Sequence, residues 1–331
     1  MTLQEAIAQL ERYEQAAQAY GHAMGVLSMD GITAAPRKSA AGRARAMGYL
    51  SGELYRCTMD PRLKESIETI LQHKQETLPE IIRRATLLKE ELDETALTTE
   101  EEYTAYSTLM VESDAVWHEA KLKNDFPAIA PYLEKIVAFK QMLAGRKDSS
   151  RPVYDVLLDT YEKGVSTQTL DPFFATLRER LTPVVLAVGQ KPAPDDAFLH
   201  AFYPKHEQDI FSHRIMRMMG IDPECCTLAE TEHPFTDGID KWNVRITTHY
   251  LEHDVSSSMY SVLHEGGHAL YELGVRDAYQ FTSLAGGSSM SLHESQSRFY
   301  ENLIGRSLPF CRYILPVMRE LWPEQMKGIT P

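Results

Sequence analysis

The sequence predicts a mainly α-helical fold that contains one small β-sheet. Along most of the 331 residues, apolar side chains recur at spacings of three and four, which is typical of amphipathic helices. One stretch, residues 228–250, departs from this pattern. It includes Asn243-Val-Arg-Ile-Thr-Thr, where polar and apolar residues alternate as they do in a strand. The next helical segment carries two histidines four residues apart, so we expect the sheet to lie directly before that helix.

The periodicity predicts the individual helices in order along the chain. We expect helices over residues 3–20, 91–122, 131–143, 170–186, 259–273 and 313–321. Within the second of these, Thr98 and Glu101 have the spacing of a capping box, in which each side chain accepts a hydrogen bond from the other residue's backbone N–H. Residues 189–196 are rich in turn-forming residues and predict a loop. The sequence contains no internal repeat and no clear linker between domains.

The composition excludes several classes of function. The chain is 43% hydrophobic and 24% charged, with a formal net charge of -13 and no block of Lys or Arg. Because phosphate and anionic lipid are bound by clustered positive charge, we expect no nucleic-acid partner and no membrane partner. No apolar run approaches the ~20 residues that span a bilayer. The N-terminus lacks the features of a signal peptide, and the four cysteines form no disulfide pattern, so we predict a cytoplasmic protein.

The predicted helix over residues 259–273 carries the strongest chemical signal, His264-Glu-Gly-Gly-His268. Residues four apart leave the same face of a helix, so both imidazoles can reach one zinc ion at ~2.0–2.1 Å. Glu265 lies at the edge of that face, where it can take a proton from water whose pKa zinc lowers to about 7. The alternative is a chance match, with both histidines merely hydrogen-bonded. We also expect Gly266 and Gly267, each costing about 1 kcal/mol in a helix, to leave room for a substrate backbone.

A catalytic zinc needs a third protein ligand and an open position. The candidates are His293 and Glu294, at the start of a predicted helix that runs to Gly305. Glu294 has a second interpretation, because Ser291 and Glu294 have the spacing of a capping box. Sequence spacing does not choose between His293 and Glu294, and His293 is also a candidate for contacting substrate.

Several segments, taken together and in order, resemble the carboxypeptidase Taq family of zinc metallocarboxypeptidases. They are Trp117-His-Glu-Ala-Lys, Tyr154-Asp-Val-Leu-Leu-Asp, His233-Pro-Phe, Asn243-Val-Arg-Ile-Thr, His264-Glu-Gly-Gly-His and His293-Glu-Ser-Gln. The resemblance implies a mainly helical fold with a small sheet beside a deep substrate groove, usually as a homodimer. It implies His264, His268 and Glu294 as metal ligands and Glu265 as general base. It also implies release of single residues from peptide C-termini, with Zn²⁺ as cofactor and Co²⁺ able to substitute.

The resemblance also bears on substrate binding. Arg245 is our candidate for holding the C-terminal carboxylate of a peptide, and the alternative is an ordinary strand arginine paired with a surface acid. The family has Asp where this chain has Asn243, so a hydrogen bond to Arg245 would persist without the charge. His233 gains a role in substrate contact from the His-Pro-Phe match.

The family pattern continues beyond Pro331, to an Ile-Arg motif and a G-x-x-Q-D-x-H-W motif that this chain does not contain. We therefore predict a single metallopeptidase domain, residues 1–331, that is truncated at its C-terminus relative to the family. Its N-terminal helical part covers about residues 1–190 and its metal-site part about 191–331. The predicted function is a zinc metallocarboxypeptidase with broad specificity for short peptides. The alternatives are an oligoendopeptidase and a non-catalytic zinc-binding fragment.

Overall fold

The computed structural model describes all 331 residues, apart from the side chain of Arg37. Within this described chain there are twelve α-helices and three β-strands. The helices are α1 (Leu3–Thr33), α2 (Ala40–Thr58), α3 (Pro61–Gln72), α4 (Pro79–Thr95), α5 (Glu100–Lys123), α6 (Phe126–Lys147), α7 (Val153–Tyr161), α8 (Thr167–Gly189), α9 (Lys205–Met218), α10 (Val255–Leu273), α11 (Met290–Arg298) and α12 (Leu308–Leu321). The strands are β1 (Cys226–Glu230), β2 (Thr236–Asp240) and β3 (Asn243–Thr248). The predicted mainly α-helical class is confirmed.

The predicted strand is β3, and it is the central strand of a three-stranded sheet with the order β1-β3-β2. Its apolar residues Val244 and Ile246 are fully buried, as the alternating pattern predicts. Two residues, Lys241 and Trp242, connect β2 to β3. The sheet ends seven residues before α10 begins, so it precedes the histidine-bearing helix as expected.

The predicted helix over residues 91–122 is wrong as a single element. It is interrupted after Thr95, and α5 begins at Glu100. The capping box lies one residue later than predicted, at Thr99 and Glu102. The backbone N–H of Thr99 donates to the Glu102 carboxylate at 3.0 Å, and that of Glu102 donates to the Thr99 hydroxyl at 3.2 Å. Because these bonds satisfy donors that a continuous helix would pair internally, they begin a new helix.

The first of two compact units comprises Met1–Ser149, Asp237–Val244 and Gly274–Gly286. Its apolar core includes Leu10 of α1, Ile67 and Ile70 of α3, and Leu88 of α4. The carboxylate of Glu14 is buried beside the core and is paired with Arg84. Since a buried charge is tolerated when it is paired and hydrogen-bonded, this pair belongs to the structural framework of the unit.

The second unit comprises Ser150–Thr236, Arg245–Leu273 and Gly287–Pro331. The buried amide of Gln208 on α9 links its segments. The amide nitrogen donates to the backbone carbonyls of Tyr203 and Leu251, and the amide oxygen accepts from Ser258 in the first turns of α10. These bonds fix the N-terminal part of α10 against α9. That both units form one metallopeptidase domain stays a prediction.

Helix α8 of the second unit is unusual because none of its 23 residues is buried. Its apolar residues recur at helical spacing, and Phe173, Phe174, Leu177 and Leu181 are between 43% and 59% exposed. Contiguous apolar surface of this kind is typical of faces that bind another protein surface. No helix in the described part of the chain has the length and apolar character that crossing a membrane requires.

Candidate metal centre

Helix α10 presents the two histidines and the glutamate between them. It begins at Val255, four residues earlier than predicted. The carboxylate of Asp254 accepts hydrogen bonds from the backbone N–H groups of Ser256 and Ser257, at 3.1 and 3.3 Å. These donors have no partner within the helix, so Asp254 stabilises the helix start at that position.

Helix α11 presents Glu294. The helix is capped by Ser289, whose hydroxyl accepts from the backbone N–H of Leu292, so the predicted Ser291–Glu294 capping box is wrong. The Glu294 carboxylate instead accepts hydrogen bonds from Arg298 at 2.6 Å and from the Ser297 hydroxyl at 3.0 Å. The predicted extension to Gly305 is present as a π-helical segment, Phe299–Gly305, rather than as α-helix.

His264, His268 and Glu294 meet in the second unit, with one potential ligand atom of each within 4.8 Å of the others. Oε2 of Glu294 lies 3.6 Å from Nε2 of His264 and 3.5 Å from Nε2 of His268. Two ligands bound tetrahedrally at ~2.1 Å from a zinc ion are about 3.4 Å apart. The separations and the two-imidazole, one-carboxylate donor set therefore fit a catalytic zinc.

The other nitrogen of each histidine has its own partner. Nδ1 of His264 lies 2.9 Å from the Glu301 carboxylate. Nδ1 of His268 lies 2.6 Å from Nδ1 of His293, whose Nε2 lies 2.7 Å from the Glu272 carboxylate. Histidine ligands are commonly oriented through the ring nitrogen that does not bind the metal. Both Nε2 atoms are thus left directed at Glu294.

Protonation favours metal binding at this cluster. Burial, together with the neighbouring His293 and His264, lowers the pKa of His268 to about 4. His268 is therefore neutral near pH 7, as a ligand must be. For Glu294, burial acts to raise the pKa, but the hydrogen bonds from Arg298 and Ser297 outweigh it, so the pKa is lowered and the carboxylate is ionised.

Glu265 lies beside this cluster and is only 6% exposed. The hydroxyl of Thr236, the first residue of β2, donates to it and lies 2.7 Å from Oε2. Burial raises the pKa of Glu265, and the Thr236 hydrogen bond opposes only part of that shift. A carboxylate in this environment accepts a proton more readily than an exposed glutamate does, which suits a general base.

The paired glycines serve the packing of the protein itself, so their predicted role in admitting a substrate backbone is wrong. A Cβ atom on Gly267 would lie 2.7 Å from the backbone oxygen of Gln296 and 2.8 Å from Cα of Ser297, both on α11. A Cβ atom on Gly266 would meet the side chain of Met219 at 2.7 Å. Gly267 thus allows the close approach of α10 and α11 that brings Glu294 to the histidines.

The predicted substrate-binding residues are placed on or near the sheet, except for His293. Arg245 on β3 donates a hydrogen bond to the Thr227 hydroxyl on β1, at 3.2 Å. Asn243 is the first residue of β3. The backbone carbonyl of His233, shortly before β2, accepts from the Thr231 hydroxyl at 2.8 Å. Contact of these residues with a peptide stays a prediction.

Sequence reasoning missed three residues of the centre: Thr236, Glu272 and Glu301. Glu272 follows His268 by four residues and Glu301 follows Glu294 by seven, and both spacings place side chains on one face of a helix. Helical spacing could therefore have suggested these two. Thr236 reaches Glu265 only through the placement of β2, and local sequence carries no signal for it.

Comparison with known proteins identifies the family of this chain and several of its relatives. The family model of the carboxypeptidase Taq (M32) metallopeptidases matches residues 9–330. Carboxypeptidase 1 of Bacillus subtilis is 34% identical over 314 residues, which cover 94% of this chain and 62% of the relative. Thermostable carboxypeptidase 1 of Thermus thermophilus is 33% identical over 329 residues, with 92% and 62% covered.

The fold is shared with solved structures as well. The crystal structure of BsuCP superposes with a TM-score of 0.96 at 32% sequence identity, covering 98% of this chain and 66% of that one. The chain spans about 62% of the length of the curated relatives it matches. With a family match over nearly all its residues, the chain belongs to the carboxypeptidase Taq (M32) metallopeptidase family.

Proposed function

We propose that this chain is a zinc-dependent metallocarboxypeptidase that releases single residues from the C-termini of short peptides. The observation that carries the proposal is the meeting of His264, His268 and Glu294 around one potential ion site, with Glu265 buried beside them. The relatives from Bacillus subtilis and Thermus thermophilus are both carboxypeptidases, and this supports the proposed substrate class. Zinc is the proposed metal, and cobalt is a proposed substitute.

The proposed chemistry divides between the metal and the protein. His264, His268 and Glu294 would hold the ion, which supplies Lewis acidity that polarises the scissile carbonyl and lowers the pKa of water to about 7. The Thr236 hydroxyl holds Oε2 of Glu265, and the Glu265 carboxylate takes the proton of the attacking water and passes it to the leaving amine. Arg245 binds the free carboxylate of the peptide, with Asn243 and His233 in supporting contacts.

Peptide products distinguish this activity from related ones. We expect the zinc-loaded chain to shorten a peptide with a free C-terminus one residue at a time and to leave its C-terminally amidated counterpart intact. A chelator should abolish the reaction because it removes the ion. Mass spectrometry of the products over time provides the measurement. Cleavage inside a peptide blocked at both ends would contradict the proposal and identify an oligoendopeptidase.

A second candidate function is non-catalytic zinc binding, and the observation that favours it is the 62% coverage of the relatives. All three proposed metal ligands lie in this chain, whereas each relative continues over a further part that the chain does not match. Stoichiometric zinc without cleavage of any free-ended peptide would support this candidate.

The homodimer and the cytoplasmic location that we predict also remain part of the proposal.

A further inference from the structure

We propose that His293 and Glu272 are positioning residues that hold His268 in the orientation and proton arrangement needed to bind the metal. The inference rests on the proposed metal site and assigns roles to two side chains outside its ligand set. The three groups form a continuous chain, in which His293 lies 2.6 Å from His268 and 2.7 Å from Glu272. We call this chain, His268–His293–Glu272, the histidine relay.

The direction of the relay follows from counting protons. A neutral imidazole has one N–H and one acceptor nitrogen. If Nε2 of His268 offers its lone pair to a metal, the proton of His268 is on Nδ1, which then donates to Nδ1 of His293. A neutral His293 must carry its own proton on Nε2, where the Glu272 carboxylate accepts it. Every donor in the relay therefore has an acceptor, and the reverse arrangement would direct a proton of His268 at the metal.

Packing keeps the central ring of the relay in place. The side chains of His268, His293 and Glu272 are 15%, 24% and 15% exposed. The ring of Tyr271 meets the His293 ring edge to face, with their centroids 5.1 Å apart. A Cβ atom on Gly287 would lie 2.6 Å from Cδ2 of His293 and 3.0 Å from Cε1 of Tyr271, so Gly287 packs closely against both rings. The ring cannot turn freely away from His268.

This geometry also bears on the other roles considered for His293. Both of its ring nitrogens are engaged, one by His268 and one by Glu272. No ring nitrogen is left for a metal ion or for a peptide while the relay is intact. Within the metal site, the relay does for His268 what the Glu301 carboxylate does for His264, but through an intervening imidazole.

Zinc affinity, measured by competition with a chromogenic chelator, tests the energetic role of the relay. We expect His293→Phe to raise the zinc dissociation constant by about 10–100-fold, the usual effect of removing an orienting partner. Glu272→Gln should raise the same constant to a smaller extent. His206→Phe is the matched control, because it makes the same change at a 75% exposed histidine outside the relay, and its zinc affinity should equal that of the parent. Unchanged affinity in both relay variants would overturn the proposal.

Imidazole nitrogen NMR tests the proton arrangement without relying on affinity. In the parent protein we expect His268 to be the Nδ1–H tautomer and His293 to be the Nε2–H tautomer. In Glu272→Gln, the amide can donate as well as accept, so the preference of His293 should weaken. The opposite tautomers in the parent would overturn the relay even if zinc binds. If the parent showed the expected tautomers but bound no zinc, the result would count against the proposed function and not against the relay.

Discussion

Replacing Glu265 by glutamine is expected to lower the rate constant of peptide hydrolysis by about 10²–10⁴-fold, the range contributed by a positioned general base. Glutamine preserves the size of the side chain and can still accept the Thr236 hydrogen bond. It cannot take a proton from water at neutral pH. Because Glu265 is not one of the three grouped ligand residues, the zinc content of the variant should match that of the parent.

The matched control for this change is Glu179→Gln. Glu179 is an exposed residue of α8, so the same substitution there removes a carboxylate without disturbing a buried site. Steady-state cleavage of a free-ended peptide, followed together with zinc content, separates chemistry from metal binding. A Glu265→Gln protein that holds zinc and cleaves at the parental rate would refute the role of Glu265.

Gly267→Ala is expected to have the largest effect on the structure of the site. The added methyl group would lie within 3 Å of the backbone of α11, and backbone cannot rotate aside as a side chain can. Overpacking of this kind typically costs 1–3 kcal/mol, whereas alanine recovers about 1 kcal/mol of helix propensity. Relief of the clash separates α10 from α11 and moves Glu294 away from the histidines. We therefore expect lower stability to urea and weaker zinc binding together.

Gly266→Ala, one residue earlier on the same helix, is the control for that prediction. Its added methyl group would meet the terminal atoms of Met219, which is a flexible side chain, and Cδ1 of Ile221 at 3.2 Å. Met219 can adopt another rotamer, so the gain in helix propensity offsets more of the cost. If Gly267→Ala retained the stability and zinc affinity of Gly266→Ala, the close approach at Gly267 would not be what positions Glu294.

Features that depend on local sequence were predicted well. Alternation of polar and apolar residues identified β3, and the four-residue spacing of His264 and His268 placed both on one face of α10. The ends of the helices were less predictable, because several side chains compete to cap them. Thr98 and Thr99 both precede a glutamate by three residues, and only the observed turn shows that Thr99 is used.

Features that depend on tertiary packing were not accessible in this way. Whether Glu294 capped its helix or faced the histidines depended on the position of α11 against α10, and spacing within α11 carries no information about that. Likewise, Gly266 and Gly267 indicate that two side chains are absent from this part of α10. That Met219 and α11 fill the space is known only from the structure. The resemblance to a known family supplied the assignment of Glu294 that local reasoning left open.

Zinc content is the most direct test of the central claim, that His264, His268 and Glu294 form one metal site. After loading and dialysis, elemental analysis should find one zinc per chain in the parent and in Glu265→Gln, and much less in His264→Ala, His268→Ala and Glu294→Ala. His206→Ala, a change at a 75% exposed histidine, should keep the parental content. A parent without bound zinc, or a Glu294→Ala protein that retains zinc as firmly as the parent, would contradict the account.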